Sequence, residues 1–256
     1  MKGIKTGSRK DILKNCVEKS NSRFDLWIEF INVYGIESMA EIGVFRGGFA
    51  SKVLEQCGSL KKYYMIDPWK NLEGWNKPGN KDDQTFQKHF DEVKRKTDFA
   101  SEKRIILKGK TTEVIHEIPD ESLDFVYIDG DHTLRGITID LIKAYSKLRV
   151  GGCIGGDDFT KTIWQHHIRF EPTLVFPFAV YFAEAMDARI YALPFNQYLI
   201  ERSTDSTYAF LDFTGEYHRV ALQSHFTLFK ILTPVLNEKF PFWRRIKRKI
   251  RKLKHR

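Results

Sequence analysis

Asp129, His132, Asp157 and Asp158 are the residues of this chain whose types and spacing suit chemistry. Asp129-Gly130-Asp131-His132-Thr133 follows directly on Phe125-Val126-Tyr127-Ile128, and Gly155-Gly156-Asp157-Asp158 follows on Cys153-Ile154, so acidic and imidazole groups sit where two buried strands surface. Carboxylates converging at one edge repel one another and would take up protons unless a cation neutralised them. Magnesium (Mg2+) suits such a set, because it prefers oxygen ligands and keeps positions for water or substrate. A hydroxyl filling such a position has a lowered pKa, and a neutral imidazole can then remove its proton. His132 stands just before a helix start, where the dipole disfavours the imidazolium, so the sequence predicts a neutral base there.

Plainer readings exist for some of these residues. Adjacent strand residues point to opposite faces, so Asp157 and Asp158 share an ion only if the chain has already left strand geometry, which Gly155-Gly156 would allow. Asp158 otherwise reads as a helix N-cap, and His132 as a turn histidine bonded to backbone. Asp131 reads as solvent-facing. His166 and His167 read as packing or substrate-side residues on an amphipathic helix.

The elements that must position the constellation are a strand over 123–128, a helix over 134–148 with apolar residues at helical spacing, and a second strand ending near Gly156. In an open parallel sheet, strands joined by a crossover helix end at the same edge, and ligands bind beyond those carboxyl ends. Upstream, strands at 39–44, 63–66 and 104–107 alternate with helices ending at Gln56 and spanning 82–99, with a short helix at 113–117. Cys57-Gly58 is expected to close the first of these in the usual C-terminal manner. Helices at 11–18 and 24–33 lead the chain and are expected to cover the sheet or the mouth of the site. Downstream come a helix around 178–186, strands at 189–193 and 198–201, a weaker strand candidate at 208–213 and a helix at 220–236. The alternation predicts an α/β fold: a Rossmann-like, doubly wound, mostly parallel sheet of about seven strands with helices on both faces.

A strand-to-helix turn rich in glycine signals a nucleotide site, but here Phe45 stands where a dinucleotide fingerprint needs its second glycine. Gly109-Lys110-Thr111 lacks the leading glycine of a P-loop and follows the wrong strand. Glu41-Ile42-Gly43-Val44-Phe45-Arg46-Gly47-Gly48 instead resembles motif I of class I S-adenosylmethionine-dependent methyltransferases. That cofactor carries no phosphates, so Gly43 and Gly47 need only let an amino-acid moiety approach the backbone. Asp67, ending the second strand, could accept both ribose hydroxyls. Thr111 lies where such families place a residue near the adenine, and Trp69 could stack on it.

The wording Asp129-Gly130-Asp131-His132, then Asp140-Leu141, Leu148, Gly151-Gly152 and Asp157-Asp158, is similar to one branch of these enzymes. That branch groups macrocin and mycinamicin sugar O-methyltransferases with cephalosporin-hydroxylase-type proteins. The likeness spans roughly 39–159. It implies cofactor contacts at Glu41, Gly43, Phe45, Gly47, Asp67, Trp69, Thr111 and Asp129, a divalent ion held by Asp129, Asp157 and Asp158, and His132 as general base. It also implies oxygen attacking the sulfonium methyl in line, with positioning supplying most of the acceleration.

The formal charge of +9 is confined to one end. Arg244 to Arg256 holds nine of the 42 Lys and Arg, and the remainder equals the 33 Asp and Glu. A neutral body counts against an RNA-binding face, which leaves an RNA methyltransferase as the runner-up and a recruited, non-catalytic binding module as the alternative of another class. Trp243, Ile246, Ile250 and Leu253 recur at helical spacing among the cations, as in a segment lying on an anionic membrane. Cys16, Cys57 and Cys153 have no metal or redox spacing and suit reduced thiols in a cytoplasmic protein. No signal peptide is expected at the N-terminus. The longest apolar stretch, 174–186, contains Pro177 and Glu184 and is too short to span a bilayer. The expected organisation is a helical cap at 1–35, the methyltransferase domain at 36–203, an extension at 204–240 and a basic tail at 241–256. The expected acceptor is a small molecule or glycan.

Overall fold

In a computed structural model, residues 9–167, 169–204 and 207–217 are described. The helix expected at 220–236 and the basic tail lie outside these residues. So do the first eight residues of the cap.

Two helices lead, α1 (Arg9–Lys19) and α2 (Arg23–Tyr34). Ser22 caps α2 by accepting from the Asp25 N–H, and Gly35 ends it in the left-handed conformation at φ 62°. The alternating part then runs β1 (Ser38–Ile42), α3 (Gly48–Gln56), β2 (Lys62–Asp67), α4 (Asp83–Lys96), β3 (Arg104–Lys108), α5 (Thr111–Val114), β4 (Leu123–Ile128), α6 (Leu134–Lys147) and β5 (Leu148–Gly156). The remainder is α7 (Val175–Ala185), β6 (Arg189–Leu193), β7 (Gln197–Glu201) and β8 (Ala209–Asp212).

One sheet of eight strands results, in the order β3-β2-β1-β4-β5-β7-β6-β8. β1 to β5 are mutually parallel, and β7 enters antiparallel between β5 and β6. The eighth strand, one more than the expected count, is the weak candidate beyond residue 203, which pairs parallel with β6. Side chains alternate across the sheet as its period of two demands. Met39, Tyr63, Met65, Phe125 and Tyr127 pack with α1 to α4 on one face. Ala40, Ile42, Tyr64, Ile66, Val126 and Ile128 pack with α6 and α7 on the other. β1 and β4 are buried almost throughout, because both faces are covered.

Two local expectations fail. Cys57 ends α3 with φ −109°, and Gly58 is not left-handed; the glycine terminator of that kind is Gly35. Among the described residues no helix runs through His166 and His167, and the described chain between β5 and α7 is irregular. Its carbonyls are committed elsewhere: Arg169 O accepts from Asn76 Nδ2, and Glu171 O and Pro172 O both accept from Lys77 Nζ at 2.9 Å. A segment whose backbone is bonded to another loop has no i→i+4 ladder to complete.

Candidate active site

The tips of β1, β2, β4 and β5 meet at one edge. Gly43 N donates to Ile66 O, Asp129 N to Ile42 O and Asp157 N to Ile128 O, so the chain leaves all four strands in register. Gly43, at φ +91°, is indispensable: a Cβ there would lie 2.2 Å from the Asp129 carbonyl oxygen. The space it provides is filled by the Asp129-Gly130 backbone, whereas the sequence pattern reserves it for a ligand. Gly47, at φ +69°, begins α3, and no side chain caps that helix.

Asp67 braces this turn. Oδ2 accepts from the amides of Val44 at 3.0 Å and Phe45 at 2.8 Å, and Oδ1 from Trp69 N at 2.8 Å. Burial raises its pKa, and the three amides oppose that. The expectation of a carboxylate free for two hydroxyls therefore needs amendment, since Asp67 already holds backbone donors. Trp69 also differs from its expected role. It is 2% exposed, with its indole N–H on the Phe45 carbonyl at 2.8 Å, so the ring supports the turn while lining the cleft beside it. Phe45 is the exposed residue here, at φ 52° and edge-on to His89. Glu41 is buried on β1, and Tyr63 donates to it at 2.8 Å; burial pushes its pKa up to about 8. Thr111 bonds the buried Asp140 carboxylate, which is also held by the Asp131 amide. That contact fixes the Asp129–Asp131 loop from below. A cleft of about 720 Å³ opens beside the tips of β2 and β3, lined by Pro68, Lys70, Leu72, Lys108 and Lys110 among others.

Across the edge, Asp129, His132 and Asp158 converge, with a ligand atom from each within 4.8 Å of the others. His132 Nδ1 lies 2.5 Å from Asp158 Oδ2, and Nε2 lies 3.5 Å from Asp129 Oδ1. Burial acts to lower the His132 pKa, but the two carboxylates facing the ring, Asp129 and Asp158, outweigh it and push it up to about 10. In this arrangement the two carboxylates favour the imidazolium, opposite in direction to the helix dipole on which the expectation of a neutral base rests. Asp158 is drawn down to about 2: burial works against this, and His132 and Gln165 prevail. Its φ of +59° shows how Asp157 and Asp158 diverge, and no helix follows for it to cap.

Asp157 does not join that cluster. Arg23 Nη1 contacts Asp157 Oδ2 and lies 3.2 Å from Asp129 Oδ2, while Gln197 Nε2 donates to Asp157 Oδ1 at 2.6 Å. Gln197 Oε1 in turn accepts from Trp27 Nε1 at 2.7 Å and Tyr127 OH at 3.0 Å. The expected set of three carboxylates therefore does not assemble. The set that does is two carboxylates and an imidazole: the carboxylate oxygens suit a divalent ion, and the buried Nε2 of His132, without a hydrogen-bond partner, is left to take a proton. Asp131, expected to face solvent, accepts from Trp75 Nε1 at 2.9 Å and from Thr133.

The sequence does not single out Arg23, Gln197, Trp27 or Trp75. Arg23 carries one signal: a cation in the first turn of a helix opposes the dipole and asks for another reason.

The sheet order and the meeting of strand tips define a Rossmann-like methyltransferase fold, as two solved structures bear out. The O-methyltransferase from Bacillus cereus in complex with SAH aligns at a TM-score of 0.51 and 14% identity, over 74% of this chain and 89% of that one. Cofactor-bound Rv0187 from MTB aligns at 0.51 and 12% identity, over 75% and 87%. Residues 40–159 match the family model described as a methyltransferase domain. No curated protein sequence matches the chain.

Proposed function

We propose that this chain is an S-adenosylmethionine-dependent O-methyltransferase acting on a sugar or another polyol-like hydroxyl, with a divalent ion assisting. The observation that carries the reading is the carboxyl edge itself, where a turn braced by Asp67 faces the Asp129-His132-Asp158 cluster across the tips of adjacent strands. The uncapped N-terminus of α3 suits the cofactor's carboxylate, and the cleft beside β2 and β3 suits its adenosyl part. When bound, S-adenosylmethionine supplies an electrophilic methyl group to an acceptor oxygen. A divalent ion held by Asp129 and Asp158 would supply Lewis acidity and draw off the carboxylate charge that keeps the proton on His132. His132, once relieved of that proton, takes the one leaving the acceptor hydroxyl. Gln165 fixes Asp158 at 2.5 Å, and Trp75 fixes the Asp131 loop, so the base is held in place.

The basic tail suits recruitment to an anionic surface, and an acceptor carried on a lipid would be consistent with that. The deciding experiment is calorimetric titration with S-adenosylmethionine, then a methyl-transfer screen of glycans, small hydroxylated acceptors and RNA, with and without magnesium. Heat with NAD but none with S-adenosylmethionine would overturn the cofactor, and transfer to RNA alone would overturn the acceptor.

A further inference from the structure

Arg23 stands where helix physics gives no reason for it. It is the first residue of α2, behind the Ser22 cap, and a cation at that end opposes the dipole. Its guanidinium reaches over the sheet edge to Asp129 and Asp157 and lies over the Phe24 ring at 5.2 Å. Trp27, one turn later on the same helix face, ends on Gln197, which holds the other oxygen of Asp157. Both oxygens of Asp157 are therefore occupied by groups that α2 brings or braces. Gly155 makes the approach possible, because a Cβ there would lie 2.4 Å from the Trp27 ring.

We propose that Arg23 is a positioning residue, the resident counter-ion of the acidic edge, which withholds Asp157 from a divalent ion and confines such an ion to the carboxylates of Asp129 and Asp158. The inference rests on the divalent-assisted reading above. It carries a sign that a purely structural role does not share. Removing an arginine that merely braces the edge loosens the cluster and weakens ion binding. Removing a counter-ion deletes a repulsive charge and releases a third carboxylate, so ion binding strengthens.

The test is Mn2+ titration of the full chain, followed by calorimetry and by loss of the free-ion paramagnetic resonance signal, with circular dichroism as a check of fold. Arg23→Gln should bind Mn2+ at least about tenfold more tightly than the unaltered chain, the scale on which groups around a metal site act. Adding Asp157→Asn to Arg23→Gln should cancel that gain. Unchanged or weaker Mn2+ affinity in folded Arg23→Gln overturns the proposal, as does a gain that survives Asp157→Asn. Where Arg23→Gln does not fold, Arg23→Met, which keeps an apolar stem against the Phe24 ring, carries the test: it should show the same gain, and unchanged or weaker Mn2+ affinity overturns the proposal. S-adenosylmethionine titrated in parallel separates the two readings. A chain that binds it yet shows the wrong Mn2+ response loses only the role of Arg23, whereas a chain that does not bind it loses the proposed function.

Discussion

A helix N-terminus disfavours an imidazolium by about 0.3–1 kcal/mol. A hydrogen bond to a charged group is worth about 1.5–3 kcal/mol, so the two carboxylates against His132 decide its protonation. All three residues are visible in the sequence, but their contact is not. His132→Ala should leave the affinity for S-adenosylmethionine within a small factor, since His132 lies across the edge from the turn over 43–48. It should lower turnover by about 10²–10⁴-fold, the usual worth of a general base. Single-turnover rates beside calorimetry check this, and a large loss of affinity would make His132 a binding group. Glu41 gives a prediction in pH. Its folded pKa is raised from about 4.5 to about 8 by burial, with Asp129 and Asp67 adding to the rise and the Tyr63 bond and Arg23 opposing it. Between those values the folded chain binds the extra proton, so stability falls as pH rises from about 5 to 8 and levels off above. A tenfold change in proton affinity corresponds to about 1.4 kcal/mol, so the fall is a few kcal/mol at most. Glu41→Gln keeps an acceptor for Tyr63 and should flatten that slope in urea titrations at pH 5, 6.5 and 8. Parallel slopes would mean that Glu41 is ionised in the fold.

Elements are far more legible in the sequence than contacts. The strands β1 to β5 and their helices follow from apolar period and glycine punctuation, because each buries a patterned face. The segment between β5 and α7 misleads for a physical reason: its order comes from bonds to the 69–82 loop, and such long-range pairing leaves no period in the sequence. The use of Gly155 is equally hidden. In sequence it offers a way out of strand geometry, and the structure makes it the floor on which Trp27 lies, with α2 seated close enough for Arg23 to reach Asp157. Gly155→Ala tests this coupling of packing to site. The new methyl would meet Trp27 and Phe125 at 2.4 and 2.8 Å, so one ring must move. The expected cost is about 1–3 kcal/mol in urea unfolding, the usual range for overpacking. Tryptophan fluorescence should shift as well. A neutral substitution would mean that α2 is not held by this contact.

At the scale of the whole molecule, the charge divides unevenly. The sheet edge gathers acids whose charge Arg23 and His132 offset, while nine cations stand in the last thirteen positions of the sequence. Among the described residues no helix is long and apolar enough to cross a membrane. Near an anionic surface each basic residue contributes about 1 kcal/mol, and the attraction falls off within a Debye length of about 8 Å at physiological salt. Nine such residues with Trp243, Ile246, Ile250 and Leu253 interleaved exceed what one myristoyl chain supplies, so binding should be measurable without lipidation. The intact chain should sediment with vesicles containing phosphatidylserine at low salt and should be released at high salt. A chain ending at Pro241 should lose that sedimentation while keeping its affinity for S-adenosylmethionine, because the turn over 43–48 is held by β1, β2, α3 and the tip of β4. Equal partitioning of the two chains at low salt would show that the cations serve something other than a lipid surface.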